Sequence, residues 1–249
     1  MVEIVTKPPQ EERLGRLPSA DPRDAQYPLR AALPRRVTLP RSKYWANFST
    51  PPLDQLDTGT CVAHGLKNWM LTAPVIQTKR DGPPQPYTMY RGIILLDEWT
   101  QNDIEAAGPD SGLQFGTSIH AMARWAQAEG YIAGDYRWSM TNQDTIDWVS
   151  VKGPMVIGVN WYGGMFNPDA NGYLNLEGGI AGGHCVAIVG VNNVRKDFTI
   201  LNSWGRWGIE GKGRALVRFS DMARLLEEAG EFMTGLEVRL PKKELPEAA

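Results

Sequence analysis

Pro52-Leu53-Asp54-Gln55-Leu56-Asp57-Thr58-Gly59-Thr60-Cys61-Val62-Ala63-His64 is the stretch whose reading decides the fold. A polar, turn-rich approach runs into an apolar pattern at Val62, Leu66, Trp69, Met70 and Ala73. That is the spacing of one buried helical face. Thr58 and Thr60 are candidate N-caps and Pro74 stops the run, which puts Cys61 in the first turn. The free amides and the macrodipole of a first turn favour an anion, here a thiolate.

Length and composition set the frame. The chain has 249 residues, a net charge of −2 and two cysteines. It is long enough for one large domain or two small lobes. The near-neutral charge gives no bulk attraction to nucleic acid or membrane, and no stretch approaches the roughly 20 apolar residues of a membrane-spanning helix. Two cysteines make no disulfide framework, and the first residues carry no apolar signal core. The expectation is a cytoplasmic protein, or a virus-encoded component, with no nucleic-acid or membrane partner.

Outward from the cysteine helix, residues 1–47 are rich in proline and arginine with little apolar periodicity, an extended arm rather than a domain. Residues 48–145 read as a helical lobe, with helices predicted over Tyr87–Trp99 and Ser118–Glu129, a Gly-containing loop over 103–117 and a short helix over Thr145–Val151. Residues 146–249 read as β-rich, with strands predicted over Pro154–Trp161, Gly183–Val191, Asp197–Ser203, Arg214–Phe219 and Phe232–Leu240 and a helix over Asp221–Ala229. There is no internal repeat. A helical half followed by a strand-rich half predicts an α+β fold of two lobes.

The strands hold a second chemical element. Gly183-His184-Cys185-Val186-Ala187-Ile188-Val189-Gly190-Val191 is an apolar run beginning on an imidazole, and Phe198-Thr199-Ile200-Leu201-Asn202-Ser203 returns after a turn at Asn192-Asn193. A hairpin centred on residue 193 pairs His184 with Asn202; a longer turn from Asn192 to Asp197 shifts the register by about three. Either register brings the two to the open end of one hairpin, where a carboxamide can fix an imidazole's tautomer. A thiol at a helix N-terminus, an imidazole and an orienting Asn form a Cys-His-Asn triad. Cys185 points to the opposite strand face with Ala187 and Val189 and reads as core. His64, one turn after Cys61, is an alternative base, and His120 reads as structural without a partner. Cys61-x-x-His64 with His184-Cys185 supplies zinc-ligand types, but strand neighbours face opposite ways, so neither metal nor other cofactor is expected.

At this point the chain resembles the papain-like cysteine peptidases. The likeness rests on Asp54-Gln55, then Gly59-Thr60-Cys61, then Gly183-His184, then Asn202-Ser203-Trp204-Gly205 with Trp207-Gly208, running from about residue 52 to 220. Leu14-Gly15-Arg16-Leu17-Pro18 with Asp21-Pro22-Arg23-Asp24 is similar to a leader that precedes bacterial members. The resemblance implies a helical lobe carrying Cys61, an antiparallel barrel-like lobe carrying His184 and Asn202, and a cleft between them. It implies an endopeptidase working through a thioester on peptide or protein substrates. Cys61 would be the nucleophile, with a pKa of about 3–4 in a thiolate–imidazolium pair with His184. Gln55 and the Cys61 N–H would form the oxyanion hole, and Trp204 would shield the His184–Asn202 bond. Gly112, Gly116 and Gly183 are the candidates for substrate-binding positions. The family's C-G-S-C-W is here Thr58-Gly59-Thr60-Cys61-Val62, so a usual disulfide cysteine and the aromatic after the nucleophile are both absent. Two other function classes share these residues: an acyltransferase, and a papain-fold binding or assembly module such as a viral structural component. The arm has three readings: it covers the cleft until cut away, it braces the lobes, or it binds a protein partner.

Overall fold

The computed structural model describes residues 2–75, 84–99 and 114–236. Its strands are β1 (Ile4–Val5), β2 (Ser42–Tyr44), β3 (Tyr136–Trp138), β4 (Met155–Tyr162), β5 (Ile180–Asn192), β6 (Asp197–Leu201), β7 (Gly208–Ile209), β8 (Arg214–Arg218) and β9 (Glu231–Gly235). Its α-helices are α1 (Cys61–Met70), α2 (Pro86–Ile94), α3 (Ile119–Ala128), α4 (Asn142–Val151) and α5 (Phe219–Glu227). The strands form one sheet in the order β1-β7-β8-β6-β5-β4-β9-β3, with β2 also on β5. Every pairing is antiparallel except β7 with β8.

Strand alternation builds two cores on opposite faces of the middle strands. Met155, Ile157 and Val159 of β4, Val186 and Ile188 of β5 and Phe232 of β9 enter a β-side core with Trp161, Trp204 and Trp207. Val156, Cys185 and Met233 face the other way, into a core shared with α1, α2 and α3. α1 keeps its apolar stripe, yet the opposite face with His64, Lys67 and Asn68 is buried as well. α1 lies close on β5 because Gly65 has no side chain: a Cβ there would fall 2.6 Å from the Cys185 sulfur.

The elements differ from the sequence expectation where a polar side chain decides a boundary. α2 ends at Ile94, not Trp99. Asp97 instead turns back to the start of α3, where it accepts from the Ser118 N–H (2.9 Å) and the Ser118 and Thr117 hydroxyls. Ser118 caps α3 by accepting from the Ala121 N–H. α4 begins at Asn142, ahead of the expected Thr145, because Thr141 accepts from the Asp144 N–H. Phe219 opens α5 rather than closing β8. The last strand starts one residue early, at Glu231, and ends at Gly235; residues 237–240 of the expected strand lie outside the described residues, as does most of the expected 103–117 loop. The β5–β6 hairpin takes the longer turn, pairing Asn192 with Asp197, and a bulge between Ile188 and Gly190 changes the register again.

The arm is woven into this body. β1 pairs with β7, and β2 pairs with β5 at Gly190–Asn192. Leu29 is fully buried in the β-side core, and Arg30 forms an ion pair with Asp147 on α4 (2.6 Å).

Filling the α1–β5 contact tests it. Gly65→Ala, though alanine is the better helix former, should lose about 1–3 kcal/mol by overpacking. Adding Cys185→Ala should recover most of that loss in a urea melt.

Candidate active site

α1 begins without a side-chain cap. Thr60 is the N-cap residue, yet its hydroxyl contacts Thr58 Oγ1 (2.7 Å) and His64 Nδ1 (3.2 Å) rather than a first-turn amide. The Thr58 hydroxyl donates to the Gln55 carbonyl instead. The N-terminal amides beside Cys61 therefore keep their donor character.

His184 sits at the other wall, completely buried. Its Nε2 lies 2.8 Å from Asn202 Oδ1, which also accepts from the Ser203 N–H at 2.8 Å. A backbone N–H can only donate, so this second bond fixes which end of the carboxamide is oxygen. The proton of the neutral imidazole is therefore on Nε2, and Nδ1 carries the free lone pair. Nδ1 makes no well-formed hydrogen bond. Trp204 lies tilted over the ring at 5.0 Å between centroids and Trp161 meets it edge-on at 4.7 Å, so two indoles exclude water from the His184–Asn202 bond.

Gln55 is held from three sides. Its N–H pairs with the Ser203 carbonyl (2.9 Å), its Oε1 accepts from the Ser203 hydroxyl (2.7 Å), and its Nε2 donates to the Thr58 carbonyl (2.7 Å). The remaining Nε2 proton goes to the carbonyl of Arg13, at 2.8 Å.

Arg13 belongs to the arm, and the arm fills the space between the two walls. The Arg16 N–H donates to the Gly183 carbonyl (2.9 Å), the Leu17 N–H to the Thr117 carbonyl (3.0 Å), and the Thr117 N–H to the Gly15 carbonyl (2.8 Å). The wall is made of glycines because main chain meets main chain. A Cβ at Gly116 would fall 2.0 Å from the Gly15 oxygen, one at Gly183 2.0 Å from the Arg16 oxygen, and one at Gly15 1.9 Å from the Gly59 oxygen. Gly116 and Gly183 thus line the occupied cleft; Gly112 lies outside the described residues.

This cover sets the protonation states. Burial pushes the Cys61 thiol up to about 11, against weaker opposition from nearby main chain, including that of Gly15. Burial pushes His184 down to about 4, the Asn202 bond and the Arg13 main chain opposing it. In the covered site both groups are neutral, unlike the ion pair expected from sequence, because the arm has removed the water that stabilises charge. Cys185 is buried in the helix-side core, its thiol pushed well up by burial. His64 is turned to its own helix start, Nδ1 3.0 Å from the Thr60 carbonyl, and burial lowers it to about 4.

His120 corrects the expectation of an unpartnered residue. Its Nε2 is 2.8 Å from Asp24 Oδ1, its Nδ1 2.7 Å from the Ser19 hydroxyl and 3.1 Å from Glu231 Oε1, and it stacks on Trp138. Burial opposes its charge, but the bonds to Asp24 and Glu231 prevail and raise it to about 9. Sequence reasoning missed this cluster. A single Glu at a strand start carries no periodic signal, and its partners Arg16, Ser19 and Asp24 sit in a segment without apolar pattern.

No protein-family profile and no curated relative matches the chain. Solved structures do. Xylellain, a cysteine protease from Xylella fastidiosa, superposes with a TM-score of 0.63 at 16% identity, covering 94% of this chain and all (100%) of that one. Digestive procathepsin L2 from Tenebrio molitor larval midgut gives 0.61 at 16% identity, over 92% of this chain and 80% of its own. ProCathepsin B S9 from Trypanosoma congolense gives 0.55 at 17% identity, over 90% and 86%. The chain has the fold of the papain-like cysteine proteases.

The His120 cluster makes a pH prediction. A histidine whose folded pKa is raised contributes stability that is full below about 6.5 and lost as pH rises through the folded value. The melting temperature should therefore fall between pH 7 and pH 10, and His120→Gln should flatten that fall. In an NMR titration the His120 ring should move near pH 9, while His64 and His184 move near pH 4.

Proposed function

We propose that the protein is a cysteine endopeptidase held latent by its own arm. One observation carries this: a peptide carbonyl, that of Arg13, accepts from Gln55 Nε2 at 2.8 Å, in a segment whose main chain also lies against His184 and Cys61. The site already binds main chain. The bound segment is not cut because its register is wrong. The carbonyl at Gln55 is Arg13's, while the thiol faces the main chain of Gly15.

When the arm leaves, water returns and the desolvation that depresses His184 is relieved. His184 Nδ1 takes the Cys61 proton, and the thiolate is stabilised by the imidazolium and by the start of α1. The sulfur attacks a substrate carbonyl, and the electron pair moves onto oxygen, where Gln55 Nε2 and the Cys61 N–H donate to it. His184 gives its proton to the leaving amine, which departs and leaves a thioester. His184 then removes a proton from water; hydroxide attack releases the acid and restores the thiol. Asn202 orients His184 throughout, and Trp204 keeps their bond dry.

In the uncovered protein, Cys61→Ala and His184→Ala should each abolish peptide hydrolysis, while Cys185→Ala and His64→Ala retain most of it; activity lost with His64→Ala and kept with His184→Ala would overturn the assignment. Gln55→Ala should lower turnover by roughly 10²–10³ with Cys61 still fast to alkylate once uncovered.

The cover is tested without deleting it. Gly15→Val cannot fit against Gly59 and should expel the crossing segment. The variant should stay folded by circular dichroism and label faster than wild type with an epoxide-type thiol inhibitor at Cys61. A lower melting temperature with no gain in labelling would make the arm a brace instead.

A further inference from the structure

The chain has two cysteines, and both lie at the contact between α1 and β5. Cys61 is the first residue of α1, and Gly65 follows one turn later on the same face. Cys185 comes directly after His184 on β5. Its sulfur sits over Gly65, where a Cβ would fall 2.6 Å from it and 3.7 Å from the Cys185 carbonyl carbon, so helix and strand main chains are nearly in contact. The Cys185 main chain is also among the groups that lie against the Cys61 sulfur. Cys185 therefore meets both ends of the first turn of α1, and Gly65 has no side chain to hold the two thiols apart.

Peptide hydrolysis uses Cys61 and gives Cys185 no part. Neither thiol is in a disulfide, and both are fully buried. Burial raises both, so while the arm is in place neither is a thiolate that an oxidant could attack. The crossing segment covers only Cys61, whose sulfur faces the main chain of Gly15. When the segment leaves, Cys61 meets solvent while Cys185 stays between α1 and β5. An accessible thiolate beside a second, sheltered thiol is the arrangement of a reversible redox centre.

We propose that Cys185 is the resolving thiol of Cys61, so that the uncovered protein answers a hydroperoxide by closing a Cys61–Cys185 disulfide. Bond formation is independent of turnover; its consequence, a reversible shut-off, rests on the peptidase reading. With hydrogen peroxide, the Cys61 thiolate attacks one oxygen. The S–O bond forms as the O–O bond breaks, sulfur gives up two electrons, and the other oxygen takes a proton and leaves as water. The Cys185 sulfur then attacks the sulfenic sulfur of Cys61. The S–S bond forms, the S–O bond breaks, and the hydroxyl departs as water with the Cys185 proton. One torsion, χ1 of Cys185, turns its sulfur from Gly65 towards Cys61. A disulfide needs Cα atoms within about 7 Å, which is the kind of approach that a glycine at position 65 permits.

The test uses Gly15→Val, which displaces the crossing segment. The folded variant is treated with hydrogen peroxide, alkylated and digested without reductant. Both free thiols should disappear, the mass should fall by two hydrogens, and one peptide should link Cys61 to Cys185. Dithiothreitol should return both thiols. With Cys185→Ala added, Cys61 should pass on to the sulfinic acid, which dithiothreitol does not reverse. The latent wild type should keep both thiols through the same exposure. Sulfinic acid on Cys61 with Cys185 present, a link between two chains, or equal oxidation of the latent protein would each overturn the proposal. If Gly15→Val does not fold, Arg16→Ala serves in its place, because it removes the buried ion pair to Glu231 that anchors the same segment. Peptide cleavage is then followed separately. Peroxide should abolish it and dithiothreitol restore it only where Cys185 is present. Linked cysteines in an uncovered variant that cleaves nothing remove the peptidase and leave the disulfide. Cleavage that peroxide destroys and dithiothreitol does not restore, with Cys185 in place, removes the disulfide and leaves the peptidase.

Discussion

Close approach of one main chain to another is the constraint on which the rest depends. At Gly15 against Gly59, Gly116 against Gly15 and Gly183 against Arg16, a single methyl group would collide with backbone. Because no side chain intervenes, the crossing segment reaches the backbone of Thr117 and Gly183 and the carboxamide of Gln55 directly. Water is then excluded, and the neutral thiol and imidazole follow from that exclusion. The side chain of Arg16, with nowhere to go along the wall, is sent inward to Glu231.

Much of this was legible in the chain. The apolar spacing after Cys61 gave α1, and the run from Gly183 gave β5 and the side on which Cys185 is buried. The His184–Asn202 meeting at 2.8 Å followed from either hairpin register, because both place the pair at the same open end. Less legible were boundaries set by side chains acting at a distance in sequence, such as Asp97 at the start of α3. Polar clusters were least legible of all. Glu231 and Arg16 are far apart in the chain, and neither has a pattern around it that marks burial. A covering arm was one of three readings, but the uncharged state of Cys61 was out of reach, because a motif specifies which groups meet but not whether water reaches them.

The indole shell shows how one element serves two ends. Trp204 packs with Trp161, Phe166 and Trp207 in the β-side core and lies over the imidazole. Residues that hold the sheet together therefore also set the dielectric around the His184–Asn202 bond, and a change in their packing would be felt in the ring's tautomer before it was felt in the fold.

The crossing segment is joined to the body on both sides, by β1 on β7 before it and β2 on β5 after it. Such a tethered ligand is present at a fixed effective concentration, of millimolar order for short connections, however dilute the protein is. Dilution will not open the cleft. On the proposed function, a free peptide would have to compete with that local concentration, its apparent affinity reduced by the fraction of molecules that are open at any moment. Cutting the segment while both flanking strands stay paired would change that fraction without either piece having to diffuse away.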